Sequence, residues 1–144
     1  MKRNQDGVAL VEFALILPLL LLLTFTTTEF GRALYQYNTL AKSVRDAARY
    51  LSTQTPGDAT KYATAKNLAV YGNPAGTGTP LAIGLNTAMV PDPAWGISGA
   101  APVIDTVTIT ITGYTFTPLI ASVFGVSFGD ISYAPISATM RSAS

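Results

Sequence analysis

Gly7 and Glu12 are the residues whose types and spacing suit a chemical event, namely a backbone cut followed by a charge pairing. If the peptide bond between Gly7 and Val8 is hydrolysed, a new α-amino group arises four residues before Glu12, one helical turn away on the same face. That amine, or the amine of a neighbouring copy, can neutralise the carboxylate where water is scarce. The rest of the chain offers little else that reacts. Its 144 residues contain no cysteine and no histidine. Thiol nucleophiles, disulfides, thiolate metal sites and the side chain most used for proton transfer near neutral pH are therefore absent. Asp92, Asp105 and Asp130 are scattered along the chain, and the glycine-rich residues 72–84 lack the lysine and the strand-to-helix context of a phosphate loop. No catalytic residue, no metal, no cofactor and no small-molecule substrate is expected.

Glu12 must be positioned by an apolar helix, because it is the sole ionisable side chain within residues 8–25. Those residues span about 27 Å as a helix, close to the roughly 30 Å hydrocarbon core of a bilayer. Charged residues make up 12% of the chain and apolar ones 49%, against about 25% charged in an ordinary soluble domain. Lys2 and Arg3 stand on the short flank, so the positive-inside rule predicts a cytoplasmic N-terminus with the remainder of the chain outside. Nine Lys and Arg against eight Asp and Glu, with no run of like charge, argue against nucleic acid as a partner.

Other readings of the apolar segment compete with a processed membrane helix. A cleaved signal peptide needs a small-x-small site after the apolar run, where this chain has threonines and then Glu29 and Phe30. A lipoprotein signal needs a cysteine. A plain signal anchor accounts for the length and the flanking charge, but gives no reason for Glu12, beyond its snorkelling to the headgroups. A carboxylate at the centre of a membrane helix costs about 2.5–3.5 kcal/mol on insertion scales, and such groups usually have partners.

The stretch GVALVEF, from Gly7 to Phe13, resembles the prepilin-peptidase site of type IV pilin-like proteins, in which the cut follows a glycine and a glutamate lies fifth in the mature chain. Glu12 followed by Phe13 is most similar to the Flp and TadE-like branch. The segments VEFALILPLLLLLTF, EFGRALYQYNTL, AARYL and TAKNLAVYGN resemble the same TadE-like family. Val8 departs from the phenylalanine or methionine that follows the cut in many type IV pilins, which bears on methylation of the new amine more than on cleavage. The resemblance implies a minor pseudopilin of a Tad-type pilus machine. Its implied partners are a prepilin peptidase, other pilins and inner-membrane Tad assembly proteins, and its implied location is the bacterial inner membrane with an external head. A type II secretion pseudopilin and an unprocessed anchor displaying a small binding domain are the alternatives.

Beyond the membrane the helix is expected to continue. Phe30, Leu34, Tyr37, Ala41, Val44, Ala48 and Leu51 recur at spacings of four and three, an apolar seam that can meet the chain's own sheet or helices of other subunits. Glu29 with Arg32, and Lys42 with Asp46, are spaced for charge pairs on a wet face. Pro18 is expected to bend or loosen the membrane half. A second helix is predicted over residues 56–71, with Thr55 as N-cap, and mostly loop over residues 72–102, including Trp95. Period-two alternation at Val107, Ile109 and Ile111 against threonines predicts a strand. Residues 131–140 form a second, antiparallel strand candidate in which Pro135 argues for an edge or a bulge, and residues 118–124 a short helical turn. The fold class is α+β. It divides into a leader at residues 1–7, a membrane half-helix at 8–28 and an exterior head at 29–144.

Overall fold

The structure, a computed structural model, describes residues 5–142. Its longest element is α1, Gln5–Ser52, which runs as one α-helix through Pro18. Proline removes one backbone donor, here the one that would reach the carbonyl of Ala14, yet the helix continues unbroken past it. The chain packs as two units. One takes α1 from Tyr35 onward with the chain to Phe116 and again from Ile131; the other takes α1 up to Leu34 with Thr117–Asp130.

In the first unit the core is made by Leu40, Val44, Ala47, Ala48 and Leu51 of α1 with residues of a second helix and a small sheet. That second helix, α2 (Tyr62–Tyr71), contributes Ala65, Ala69 and Val70, and ends on Gly72, whose φ of 71° makes the left-handed cap that glycine adopts freely. Its start differs from the expected one. Asp58, not Thr55, is the cap; its carboxylate accepts from the Thr60 amide at 3.0 Å and hydroxyl at 2.6 Å, and a single 3-10 turn (Ala59–Lys61) leads into α2. Hydrogen bonding from the Thr60 hydroxyl, then from its amide, holds the Asp58 carboxyl below the usual carboxylate range. A cap three residues later wins because Gly57, at φ 80°, takes the chain out of helical geometry.

The sheet is antiparallel, in the order β1 (Ala94–Ser98), β2 (Ile104–Ile111), β7 (Ile136–Arg141). Along β2 the burial alternates as the sequence does. Val107, Ile109 and Ile111 are in the core, while Thr108 meets Thr139 across the strands at 2.7 Å between hydroxyls. The residues from Ile131 to Met140 do not form one strand. Pro135 separates β6 (Ile131–Ser132), which pairs with β3 (Thr115–Phe116), from β7, which pairs with β2 at the sheet edge. Trp95 lies on β1 and not in a loop, and its indole N–H donates to the Tyr62 hydroxyl at 3.1 Å.

Residues 72–93 carry little secondary structure but are held closely. Asn73 bridges its own turn through Thr77, accepting from its amide at 3.2 Å and donating to its carbonyl at 2.8 Å. Asn67 donates to the Pro74 carbonyl at 3.1 Å. A Cβ at Gly76, where φ is 67°, would come within 2.6 Å of the Asn67 side chain, so this turn has room for glycine alone. The Leu81 amide donates to Val70 and the Thr112 amide to Met89, each at 2.8 Å, fastening the stretch to α2 and to the end of β2.

Val44, Ala48 and Leu51 of the apolar seam are fully buried and Ala41 is half-buried, whereas Phe30, Leu34 and Tyr37 are exposed, at 60%, 50% and 44%. Upstream of Val44 the buried stripe is instead Glu29, Ala33 and Leu40, spaced by four and seven. Replacing Leu40 with alanine is expected to destabilise the head by about 2–5 kcal/mol, and Leu34→Ala by no more than about 0.5 kcal/mol. Denaturant unfolding of the two variants in one detergent reads the difference.

Candidate functional site

From Val8 to Leu20 the apolar side chains of α1 other than Pro18 are exposed, and Leu21 and Leu22 are half-buried. Val8, Leu10, Val11, Phe13, Leu15, Leu19 and Leu23 are each more than half exposed, and they point around the whole helix. No part of the most apolar stretch is buried. The helix is long and apolar enough to cross a bilayer, and it is the one such helix among the described residues.

The threonines that follow fit the same environment. Thr24, Thr26, Thr27 and Thr28 each donate a hydroxyl to the carbonyl four residues earlier, at 2.8–2.9 Å. Each hydroxyl is thereby satisfied within the helix, as a segment at the edge of lipid requires. The apolar character of α1 therefore persists to Glu29.

Lys2 and Arg3 lie outside the described residues. Gly7 and Val8 sit in the first turn of α1, within the first four residues, whose amides have no carbonyl partner inside the helix. Unwinding the backbone at this bond thus breaks few intrahelical bonds. Gly7 has an ordinary helical φ, and a Cβ placed on it would meet nothing within 4 Å. Glycine there costs the helix about 1 kcal/mol relative to alanine, and nothing within the fold asks for it. Gly31 is equally open. Glu12 and Phe13 are exposed on the same helix, and among the described residues no cation pairs with the Glu12 carboxylate.

Glu29 follows the last of these threonines. It is 6% exposed, pairs with Arg32 at 2.9 Å, and accepts a hydrogen bond from the Leu119 amide at 3.3 Å. The Arg32 pair follows from the spacing of three, but the Leu119 contact, ninety residues distant, leaves no local signal in the sequence. Alanine at Glu29 is expected to release the Leu119 amide at a cost of about 1–3 kcal/mol, with glutamine retaining most of the contact. Faster hydrogen exchange at Leu119 in Glu29→Ala alone would read this out. Lys42 and Asp46 do not pair; both are exposed and line an open groove of about 510 Å³ with Tyr35, Asn38 and Leu81. Among the described residues no three His, Cys, Asp or Glu side chains converge as metal ligands.

The family model for TadE-like protein matches residues 7–49. Over these residues the chain is similar to TadE-like proteins. The match begins at the glycine before the apolar span and ends within the buried stripe of α1, so it covers both halves of the helix and stops short of residues 64–73. The similarity thus lies in the element that carries the exposed apolar stretch. No curated protein and no solved structure matches the chain.

Proposed function

We propose that this chain is a minor pseudopilin of a Tad-type pilus assembly, inserted with its N-terminus in the cytoplasm and cut after Gly7 by a prepilin peptidase. Residues 1–7 are then the leader, residues 8–28 the inner-membrane half of α1, and residues 29–144 the external head. The observation that carries the reading is the exposed apolar stretch of α1 from Val8 to Leu20, holding one carboxylate, Glu12, that meets no cation among the described residues and lies five residues after an otherwise unexplained glycine. Lys2 and Arg3 supply the charge that keeps the leader inside.

Cleavage converts the Val8 nitrogen into an ammonium group, within reach of Glu12 on its own helix or on that of another pilin subunit. Pairing between subunits removes two charges from lipid at once, and so favours lateral association of these helices over leaving each carboxylate alone. The exposed Phe30, Leu34 and Tyr37 extend the same contact face beyond the membrane. The family relationship supports assembly as the role, with other pilins and the inner-membrane Tad proteins as partners. Intact mass and N-terminal sequence of the protein extracted from native membranes test the proposal. A chain beginning at Val8 is expected. One beginning at Met1 would make it an unprocessed anchor, and one beginning past Phe25 an exported domain freed from a signal peptide.

A further inference from the structure

We propose that the hairpin within Thr117–Asp130 is a second membrane contact, seated in the headgroup and acyl boundary of the outer face of the bilayer that α1 crosses. The inference rests on the membrane reading of α1. Three observations carry it.

Thr117–Asp130 packs in one unit with the apolar part of α1, and the Leu119 amide is tied to Glu29, the residue directly after the last back-bonded threonine. The segment is therefore held where the span ends. Its composition suits that level: from Thr117 to Gly129 it contains no ionisable side chain, and Asp130 closes it.

Three of its large apolar side chains, Leu119, Phe124 and Val126, are also turned outward. Strands β4 (Ser122–Val123) and β5 (Val126–Ser127) pair around a two-residue turn, Phe124 and Gly125, with φ of 49° and 81°. Positive φ at both central residues is the turn that fits hairpin twist, but the first position normally takes asparagine, aspartate or glycine. Phenylalanine there is conformationally costly, and it places a ring at the tip with 62% of its surface exposed. Leu119, at 70%, and Val126, at 46%, flank it. An exposed apolar tip on an uncharged loop gains from lipid what it loses in water, and aromatic rings favour the membrane interface.

The chain has no cysteine, so single-cysteine variants of the full protein give unambiguous label positions. An environment-sensitive fluorophore is attached in Phe124→Cys, with Val126→Cys as a second tip position. Leu15→Cys reports on the span and Ile97→Cys, on the exposed edge strand β1, on water. The proteins are reconstituted at high lipid excess in phosphatidylethanolamine and phosphatidylglycerol vesicles containing lipids brominated near the carbonyl or near the chain end. At an interfacial depth of ~5–10 Å the tip labels are expected to lose ~50% or more of their emission to the shallow bromines, less to the deep ones, and to resist aqueous iodide. Tip labels quenched by iodide like Ile97→Cys overturn the proposal. Tip labels shielded from both iodide and bromine also overturn it, because protein then covers the hairpin. A Leu15→Cys label untouched by either lipid overturns the membrane reading and the hairpin proposal with it; a quenched Leu15→Cys label with unquenched tips overturns the hairpin alone.

Discussion

Gly7→Leu is expected to leave the chain uncut. A peptidase that reads the residue before the scissile bond must accommodate its side chain, and a glycine offers none. The bond lies in the first turn of α1, where few intrahelical hydrogen bonds resist unwinding, so substrate recognition and not helix stability governs the cut. Leucine is a good helix former and gains about 0.8 kcal/mol over glycine in a helix interior, so the variant should fold and insert at least as well as the parent. Loss of processing with normal membrane levels is the expected pattern, read by intact mass as the retention of the seven leader residues. Normal cleavage of Gly7→Leu would remove the role assigned to that glycine.

Glu12→Ala separates cutting from assembly. The carboxylate lies five residues past the scissile bond, on exposed helix surface, and no cation among the described residues meets it. The variant should be cut in large part, and should insert more readily, since a charge in lipid is removed. Assembly should fail. Removing one partner of a buried pair costs about 3–5 kcal/mol, which is more than a hundredfold in an association constant. Glu12→Gln, similar in shape and uncharged, should lose assembly in the same way. Pili counted by microscopy in cells expressing each variant, beside the intact mass, give both readouts. Wild-type piliation in Glu12→Ala would leave the carboxylate without an assembly function.

The helix, the central strand and the fold class were legible because each is written as a pattern: an apolar run from Val8 with Glu12 as its one charge, threonine against Val107, Ile109 and Ile111 in β2. Elements decided by tertiary partners were not. β1 has an almost wholly exposed burial pattern, so its residues show no alternation, and it exists because β2 offers it an edge. Residues 118–124 are apolar enough for a helical turn, but Gly125 with Phe124 at positive φ makes a hairpin instead. The upper part of the seam is not buried within the chain, for a related reason. Hydropathy selects Phe30, Leu34 and Tyr37, while the fold buries Glu29, Ala33 and Leu40, because the Leu119 amide and Arg32 give Glu29 the partners that make its burial tolerable. Tyr37 is nonetheless used, edge-on to Tyr133 at 5.6 Å.

If α1 crosses the membrane as proposed, the four self-satisfied threonine hydroxyls between Leu23 and Glu29 give the helix a tolerance for bilayer thickness. Residues 8–23 cover about 24 Å and residues 8–28 about 32 Å at 1.5 Å per residue. The hydrocarbon thickness of biological membranes lies largely between those lengths. A threonine whose proton is already committed to its own helix loses little on passing from water into lipid, so the outer boundary of the bilayer can fall at any of the four without tilting or stretching the helix. Hydrophobic mismatch, which sorts rigidly bounded spans among membranes, should therefore weigh lightly on this one until the lipid reaches Glu29.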